Sequence, residues 1–198
     1  NACGNTEAAV KLTGCIHRKV DIQFVGKRIE VLFVISDTHA AHKQVVVGIG
    51  ESWNWARFAD QFTEDATYVE HMYGKFQGRE RIRDWIVKTM STFPGSEMPF
   101  YPSTWHSVDE EKGWVICEFQ NRMRDPGDGS IHQEPNISVL KYAGDGLWSY
   151  EEDAYNPMNF LVMVRDYTQT CARLGTLSDD ARAFAQNMNW ELVSATEA

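Results

Sequence analysis

Three short turn sequences follow Pro94-Gly95, and they constrain the fold more than any other feature of the chain. They lie at 109–113, 125–129 and 143–146 and consist mainly of Asp, Gly and Pro, which tolerate or preset the backbone angles of turns. Between them, apolar and polar residues alternate, which predicts strands at about 103–108, 113–124, 131–142 and 147–154. Consecutive strands joined by short turns predict an antiparallel meander.

Helical spacing replaces this alternation before and after the predicted sheet. Trp55, Phe58, Ala59 and Phe62 predict a helix from about residue 52, and Ile82, Trp85, Ile86 and Thr89 predict another after Gly78. An earlier helix could begin at Ser36 and run to about residue 47. Asn156-Pro157 begins a helix that Gly175 ends, and Ser178 caps a last short one. Helices followed by a meander predict the α+β class.

The first 35 residues differ from the rest of the chain. Alternating apolar residues on both sides of Gly26-Lys27 are typical of a hairpin, but the segment could equally be a disordered arm or sequence upstream of the natural start. We therefore expect an N-terminal extension at 1–35, one domain at 36–175, and a C-terminal helix and tail at 176–198.

Charge and composition exclude several classes of function. The net charge of −9 argues against a nucleic-acid partner, which requires a basic surface. No apolar run approaches the roughly 20 residues of a membrane span, and no secretory signal is readable. The cysteines are scattered at positions 3, 15, 117 and 171, which favours reduced thiols in the cytoplasm.

The region from Phe58 to Trp85 has a recognisable order: an amphipathic helix, an acidic turn, a strand with one histidine and two tyrosines, and a glycine-bounded loop before the next helix. With the sequences TYVEHMYG at 67–74 and EEDAYNP at 151–157, it resembles the nuclear transport factor 2-like superfamily, and within it the SnoaL-like proteins of bacteria. The resemblance covers about residues 50–157. It implies a cone-shaped fold, with a curved antiparallel or mixed sheet wrapped on N-terminal helices, extra C-terminal helices, and an apolar pocket.

The resemblance also suggests a base. Ketosteroid isomerases of this superfamily carry a carboxylate base three residues before the glycine that closes the strand, and anchoring on Gly74 puts His71 there. A shift of one residue would put Glu70 there instead. Histidine is a suitable general base near neutral pH. The two oxyanion donors of the isomerases fall at Val46 and Ser138, so steroid isomerisation is not expected.

Acidic residues on the last strand supply a second candidate. Glu151 and Asp153 share one face and Glu152 lies opposite; the resemblance implies that the first face looks inward. SnoaL-like cyclases use an inward aspartate as acid or base, and Asp153 matches that role by chemistry. Two inward carboxylates repel each other and favour protonation of one. Arg122 with Asp153 matches only part of the Asp-Arg-Asp set of epoxide hydrolases of this fold. Candidate pocket-lining residues are Tyr68, Tyr73, Trp105, Asn136, Ser138 and Glu151.

These residues lead to two alternative functions. The first is binding of a small apolar molecule, with acid–base chemistry of the isomerase, polyketide cyclase, dehydratase or epoxide hydrolase type in which His71 takes a proton and Asp153 returns one or orients the base. Such proton transfers need neither a metal nor an organic cofactor. The second is a non-catalytic ligand-binding or dimerisation module, with His71 a structural residue and Asp153 a cap of the following turn. Members of the superfamily often pair through the open sheet face, which implies a homodimer.

Overall fold

The computed structural model describes residues 54–193, together with Ala40, which is helical. The expectations for residues 1–35 lie outside the described residues, and so does the expected helix at 36–47 apart from Ala40. Among the described helices, none is long and apolar enough to cross a membrane.

Eleven elements follow one another in the described part of the chain. They are a 3-10 helix Trp55–Gln61, strands β1 Phe62–Glu70 and β2 Gly74–Gln77, helix α1 Arg79–Met90, a second 3-10 helix Gly95–Glu97, strands β3 Ser103–Asp109, β4 Trp114–Arg122, β5 Gln133–Gly144 and β6 Leu147–Ala154, and helices α2 Pro157–Leu174 and α3 Asp179–Asn187. The four strands predicted after Pro94 are present to within a few residues. Over the described residues, the helix predicted from about residue 52 is of the 3-10 type, and it ends at Gln61 because the chain is already extended at Phe62.

The six strands form one mixed sheet in the order β2-β1-β6-β5-β4-β3. Strands β3 to β6 make the predicted antiparallel meander. The sequence did not predict β2, which has only four residues, or the parallel pairing of β1 with β6. That pairing sets Tyr68 beside Glu151 and Glu70 beside Asp153, although the paired residues lie more than 80 positions apart along the chain.

The helix ends follow the predicted capping chemistry. The side chain of Asn156 accepts a hydrogen bond from the Met158 backbone N–H at 3.0 Å, and Pro157 occupies the first position of α2. Gly175 ends the helix in the left-handed conformation (φ 72°), which a residue without Cβ adopts at low cost. The hydroxyl of Ser178 accepts from the Ala181 N–H at 3.1 Å and caps α3.

The hydrophobic core lies between the inner face of the sheet and the three helices. Its largest fully buried side chains are Trp148, Tyr167, Phe62, Ile82, Leu140, Val115 and Val164. A register shift between β5 and β6 contributes to it: Tyr150 pairs with Lys141, but Trp148 pairs with Tyr142. Strict alternation would put Trp148 on the same face as Tyr150, whereas the irregularity turns the Trp148 ring into the core.

Candidate functional site

A cavity of about 200 Å³ opens between the helices and the inner face of the sheet. Most of its wall is apolar and aromatic, with contributions from Trp55, Phe58, Trp85, Tyr101, Phe119 and Phe160. One side is different: here β1, β5 and β6 contribute Tyr68, Glu70, Asn136, Ser138, Glu151 and Asp153, a group that we call the polar wall. An apolar chamber with a few convergent polar groups is the usual form of a small-molecule site.

Asp153 is the centre of the hydrogen bonds in the polar wall. Its Oδ1 accepts from Ser138 Oγ at 2.5 Å and from Asn136 Nδ2 at 2.8 Å, and its Oδ2 accepts from the Tyr68 hydroxyl. These donors come from strands on both sides of β6. Burial raises the pKa of Asp153 above its ordinary value, and the three hydrogen bonds oppose this because they stabilise the charged form. The geometry therefore suits an ionised carboxylate held in a fixed orientation.

Glu151, two residues earlier on the same face, has the opposite environment. Its side chain is 3% exposed, and no donor among the described residues lies within hydrogen-bond reach of its Oε2. Burial and then the charge of Asp153 raise the pKa of Glu151 well above its ordinary value. The two inward carboxyl groups thus differ in environment: three donors stabilise the charged form of Asp153, whereas burial and the charge of Asp153 favour the neutral form of Glu151.

The phenols around this pair act as donors. Burial, followed by the charge of Asp153, raises the pKa of Tyr68 well above its ordinary value, and the same causes raise the pKa of Tyr101. Both hydroxyls therefore stay protonated at neutral pH. Asn136 Nδ2 also donates to Ser138 Oγ at 3.0 Å, which leaves the Ser138 hydroxyl hydrogen for Asp153.

Glu70 lies in the polar wall, but both oxygens of its carboxyl group already accept hydrogen bonds from other groups of the protein. Its Oε2 accepts from the backbone N–H groups of Met72 and Tyr73, each at 2.7 Å, and its Oε1 accepts from the Tyr155 hydroxyl. The carboxylate fixes the tight turn between β1 and β2. Of the two residues left open by the register of this strand, Glu70 points inward and His71 does not.

The predicted pair of His71 with Asp153 does not form. The strand ends at Glu70, and His71 lies in the turn with a side chain that is 48% exposed. Its Nε2 is 2.9 Å from Oε1 of Glu152, on the other face of β6 from Asp153. The Tyr150 hydroxyl donates to Oε2 of the same glutamate at 2.5 Å, and these two contacts lower the pKa of Glu152. Successive residues of a strand point to opposite faces, which is why a one-residue difference removes His71 from the pocket.

The other candidate residues also divide into those that line the cavity and those that do not. Tyr68, Tyr73, Asn136, Ser138, Glu151 and Asp153 all line the cavity, and their role in binding stays a prediction. Trp105 is not part of the described lining, because β3 is the edge strand farthest from β1 and its ring is 46% exposed. Arg122 is also absent from the described lining, and its Nε donates to Gln133 at 2.7 Å. The partial match to an epoxide hydrolase set is therefore not assembled.

Sequence reasoning missed Tyr155, whose hydroxyl reaches Glu70 and whose side chain lines the pocket. The sequence could have indicated Tyr155, because alternate residues of a strand share a face and Tyr155 follows Glu151 and Asp153 at the same spacing of two. Trp55 and Trp85, which the sequence analysis used only for helical spacing, pack in or against the core and also line the cavity.

Solved structures include proteins similar to this chain. One is a nuclear transport factor 2-like protein from Anabaena variabilis, with 16% identity, a TM-score of 0.46, and coverage of 68% of this chain and 95% of that one. Another is an isomerase candidate from Bacillus subtilis, with 15% identity, a TM-score of 0.51, and coverage of 74% of this chain and 96% of that one. No family model matches the chain. No curated protein matches it either.

The similarity to the Bacillus protein spans almost the whole of that chain, and the mixed sheet with helices on its inner face is the architecture predicted above. The chain has the nuclear transport factor 2-like fold. At 15% identity the likeness concerns the fold and not the activity. What the nuclear transport factor 2-like fold does in this chain has to be inferred from the polar wall.

Proposed function

We propose that the protein binds a small, largely apolar molecule in the cavity and transfers protons to and from it, with Asp153 as base and Glu151 as acid. The observation that carries this proposal is the contrast between the two carboxyl groups on one face of β6. Asp153 accepts from three donors, whereas Glu151 is buried beside it without a partner for Oε2 among the described residues. Adjacent carboxyl groups whose environments separate their pKa values are a common acid–base arrangement.

In this proposal each group has its own part. The carboxylate of Asp153 takes a proton from the bound molecule, and its hydrogen bonds to Ser138, Asn136 and Tyr68 keep it oriented during the transfer. The neutral carboxyl of Glu151 lies on the same side of the cavity and can deliver a proton to a second atom of the ligand. The largely apolar and aromatic walls are poor partners for water, and electrostatic interactions are stronger where less water is present.

One observation favours the second candidate, a binding module without catalysis. The histidine expected to serve as base lies outside the cavity, and Glu70 is fully occupied by the turn and by Tyr155. A cavity of about 200 Å³ remains in the cone, which either candidate needs in order to bind a ligand. The two candidates differ in whether Asp153 performs proton transfer, which can be measured without knowing the natural ligand.

The experiment uses 5-nitrobenzisoxazole, a small apolar compound whose ring opens when a base removes one proton and whose product is coloured. We expect the wild-type protein to accelerate this reaction and Asp153→Asn to lose at least about 100-fold of the acceleration, the scale of a general base. Glu152→Gln is the matched control, because it removes a carboxylate from the same strand on the opposite face, and it should keep the wild-type rate. An Asp153→Asn variant as active as the wild type would refute the assignment of the base. Binding of the compound without acceleration would favour the non-catalytic module.

We also propose that the chain forms a homodimer through the outer face of the sheet. Trp105 and Ile116, on neighbouring strands, are 46% and 37% exposed. Ser107 pairs with Ile116, so Trp105, two residues away, lies on the same face as Ile116. Exposed apolar side chains on one face favour association. Light scattering should give the mass of two chains for the wild type and of one chain for Trp105→Glu; a wild-type monomer would refute the proposal.

A further inference from the structure

The charges around the cavity all have one sign. Glu70, Glu151 and Asp153 contribute three carboxyl groups, and none of the described residues that line the cavity is a Lys, Arg or His. A ligand with its own negative charge would be repelled, since attraction and repulsion are strong where water is excluded. A neutral ligand would leave the ionised Asp153 without a counter-charge in the pocket.

Two buried oxygens in the polar wall have no partner among the described residues. Oε2 of Glu151 and Oδ1 of Asn136 have no hydrogen-bond partner among the described residues, and the two residues are only 3% and 5% exposed. Buried polar atoms in proteins are nearly always satisfied, so such atoms in a cavity wall indicate where a ligand supplies the missing group. Oδ1 of Asn136 can only accept, and its Nδ2 is already used by Asp153 and Ser138. The ligand must therefore bring a donor to Oδ1 of Asn136.

The apolar side of the cavity suits a cation as well. The rings of Tyr68 and Trp85 lie 4.8 Å apart between centroids, Tyr73 lies 6.3 Å from Trp85, and all three line the cavity. Aromatic ring faces attract ammonium groups, most strongly where water is excluded. Carboxyl groups, orphaned acceptors and aromatic rings thus surround the same space, and each favours a positively charged donor.

We propose that the natural ligand is an amine on a compact apolar body, bound as its ammonium form between Glu151, Asp153 and Oδ1 of Asn136. This inference rests on the proposed apolar ligand pocket and names the chemical class of the ligand. When the amine enters uncharged, an N–H bond forms with the nitrogen lone pair while the O–H bond of Glu151 breaks, so one proton moves and none is lost. When it enters as ammonium, Glu151 releases its proton to solvent. In both cases the ligand N–H becomes the acid next to Asp153.

The test compares three ligands with the same aromatic body: 1-naphthylmethylamine, 1-naphthylmethanol and 1-naphthoic acid. Calorimetric titration at pH 7 should show the amine binding at least about tenfold more tightly than the alcohol, with the acid weakest, because charge-assisted hydrogen bonds are roughly twice as strong as neutral ones. Glu151→Gln should reduce the preference for the amine to within about threefold, since a neutral side chain gains little from the ammonium charge. Glu152→Gln, the neighbouring residue on the opposite face, should leave the preference unchanged.

A second measurement on the wild type does not depend on the folding of a variant. Titration in two buffers of different ionisation enthalpy should show proton release when the amine binds and none when the alcohol binds. The other titratable groups that line the cavity are Asp153, Glu70, Tyr68, Tyr73, Tyr101 and Tyr155. The pKa of each of these tyrosines is raised, so the phenols keep their protons at pH 7. Because an ammonium favours the ionised carboxylate, amine affinity should rise with pH until Glu151 is ionised in the free protein.

The outcomes separate this inference from the proposed function. Equal binding of the amine and the alcohol, or an amine preference that survives Glu151→Gln, overturns the amine proposal and leaves the apolar pocket standing. Failure of all three compounds to bind overturns both. A preference for the amine that disappears in Glu151→Gln and persists in Glu152→Gln supports the proposal.

Discussion

Glu151 and Glu152 are neighbours on β6, carry the same side chain and have opposite chemistry. Glu151 faces the cavity, is almost completely buried, and has its pKa raised by burial and by Asp153. Glu152 faces outward, accepts from Tyr150 and contacts His71, and these contacts lower its pKa. The difference shows that the face of the strand, and not the residue type, decides in which direction the pKa of a carboxyl group moves.

The arrangement on the inner face of β6 lowers the stability of the fold. Oε2 of the buried Glu151 has no hydrogen-bond partner among the described residues, which lowers the stability of the fold, whereas the Glu152 side chain on the outer face is 33% exposed and contacts His71. Groups that reduce stability and have perturbed pKa values concentrate at functional sites. We therefore interpret the inner face of β6 as the functional face, and the following predictions test how far the two faces differ.

The largest expected difference concerns the aromatic residues of β6. Trp148→Ala should lower the free energy of unfolding by about 3–5 kcal/mol, the usual cost of removing a large aromatic side chain from a core. Tyr150→Ala should cost less than about 1 kcal/mol, because Tyr150 contributes one hydrogen bond and one ring contact with Lys141 at a hydrated surface. Urea denaturation measures both. Similar losses for the two variants would show that the register shift does not separate the faces.

Opposite pH dependence is the second expected difference. Between the pKa of a glutamate in the unfolded chain, about 4.3, and the raised pKa of folded Glu151, the native state holds a proton that the unfolded state lacks. The free energy of unfolding should therefore fall as the pH rises through this interval. Glu151→Gln should remove that fall and gain stability relative to the wild type at pH 8, by about 1.4 kcal/mol for each pKa unit between the two states.

Glu152→Gln is the matched variant for this measurement. The pKa of Glu152 is lowered in the folded state, so its contribution is present above the unfolded pKa and is lost as the pH falls through the folded value. Glu152→Gln should therefore slightly lower the free energy of unfolding at neutral pH. Thermal unfolding at pH 5 and pH 8 compares the two variants, and a Glu151→Gln variant that is destabilised equally at both pH values would contradict the assignment of the proton to Glu151.

The smallest expected effect is at His71. Its contact with Glu152 is half exposed, and exposed ion pairs contribute about 0.2–1 kcal/mol at low salt. A double-mutant cycle of His71→Ala and Glu152→Gln should give a coupling energy in that range, reduced at 1 M salt. The 5-nitrobenzisoxazole rate should not change in His71→Ala. A loss of rate comparable to that of Asp153→Asn would show that His71 takes part in the proton transfer.

Much of the fold could be predicted from local chemistry. The turns at 109–113 and 143–146 set the ends of the strands of the meander, and Asn156 and Ser178 cap the helices for which they were proposed. The shared face of Glu151 and Asp153 followed from the period of two. These features depend on neighbours within a few residues, which is the range over which sequence patterns are informative.

The site could be predicted only in part, for a geometrical reason. Where β1 ends decides whether Glu70 or His71 faces the cavity, and a single residue reverses the result. The register shift that moves Trp148 into the core is equally small. Neither the end of β1 nor the register shift can be predicted from the alternation of apolar and polar residues, because each depends on how one strand pairs with another.

The sequence by itself determined the α+β class, the meander, the caps and the presence of acids on one face of the last strand. Tertiary structure alone decided the parallel pairing of β1 with β6, which brings the Tyr68 hydroxyl to Asp153 and leaves Glu151 without a partner among the described residues. The reason is that local structure depends on contacts over a few residues. A carboxyl group acquires its chemistry from the burial and hydrogen bonds that distant segments provide.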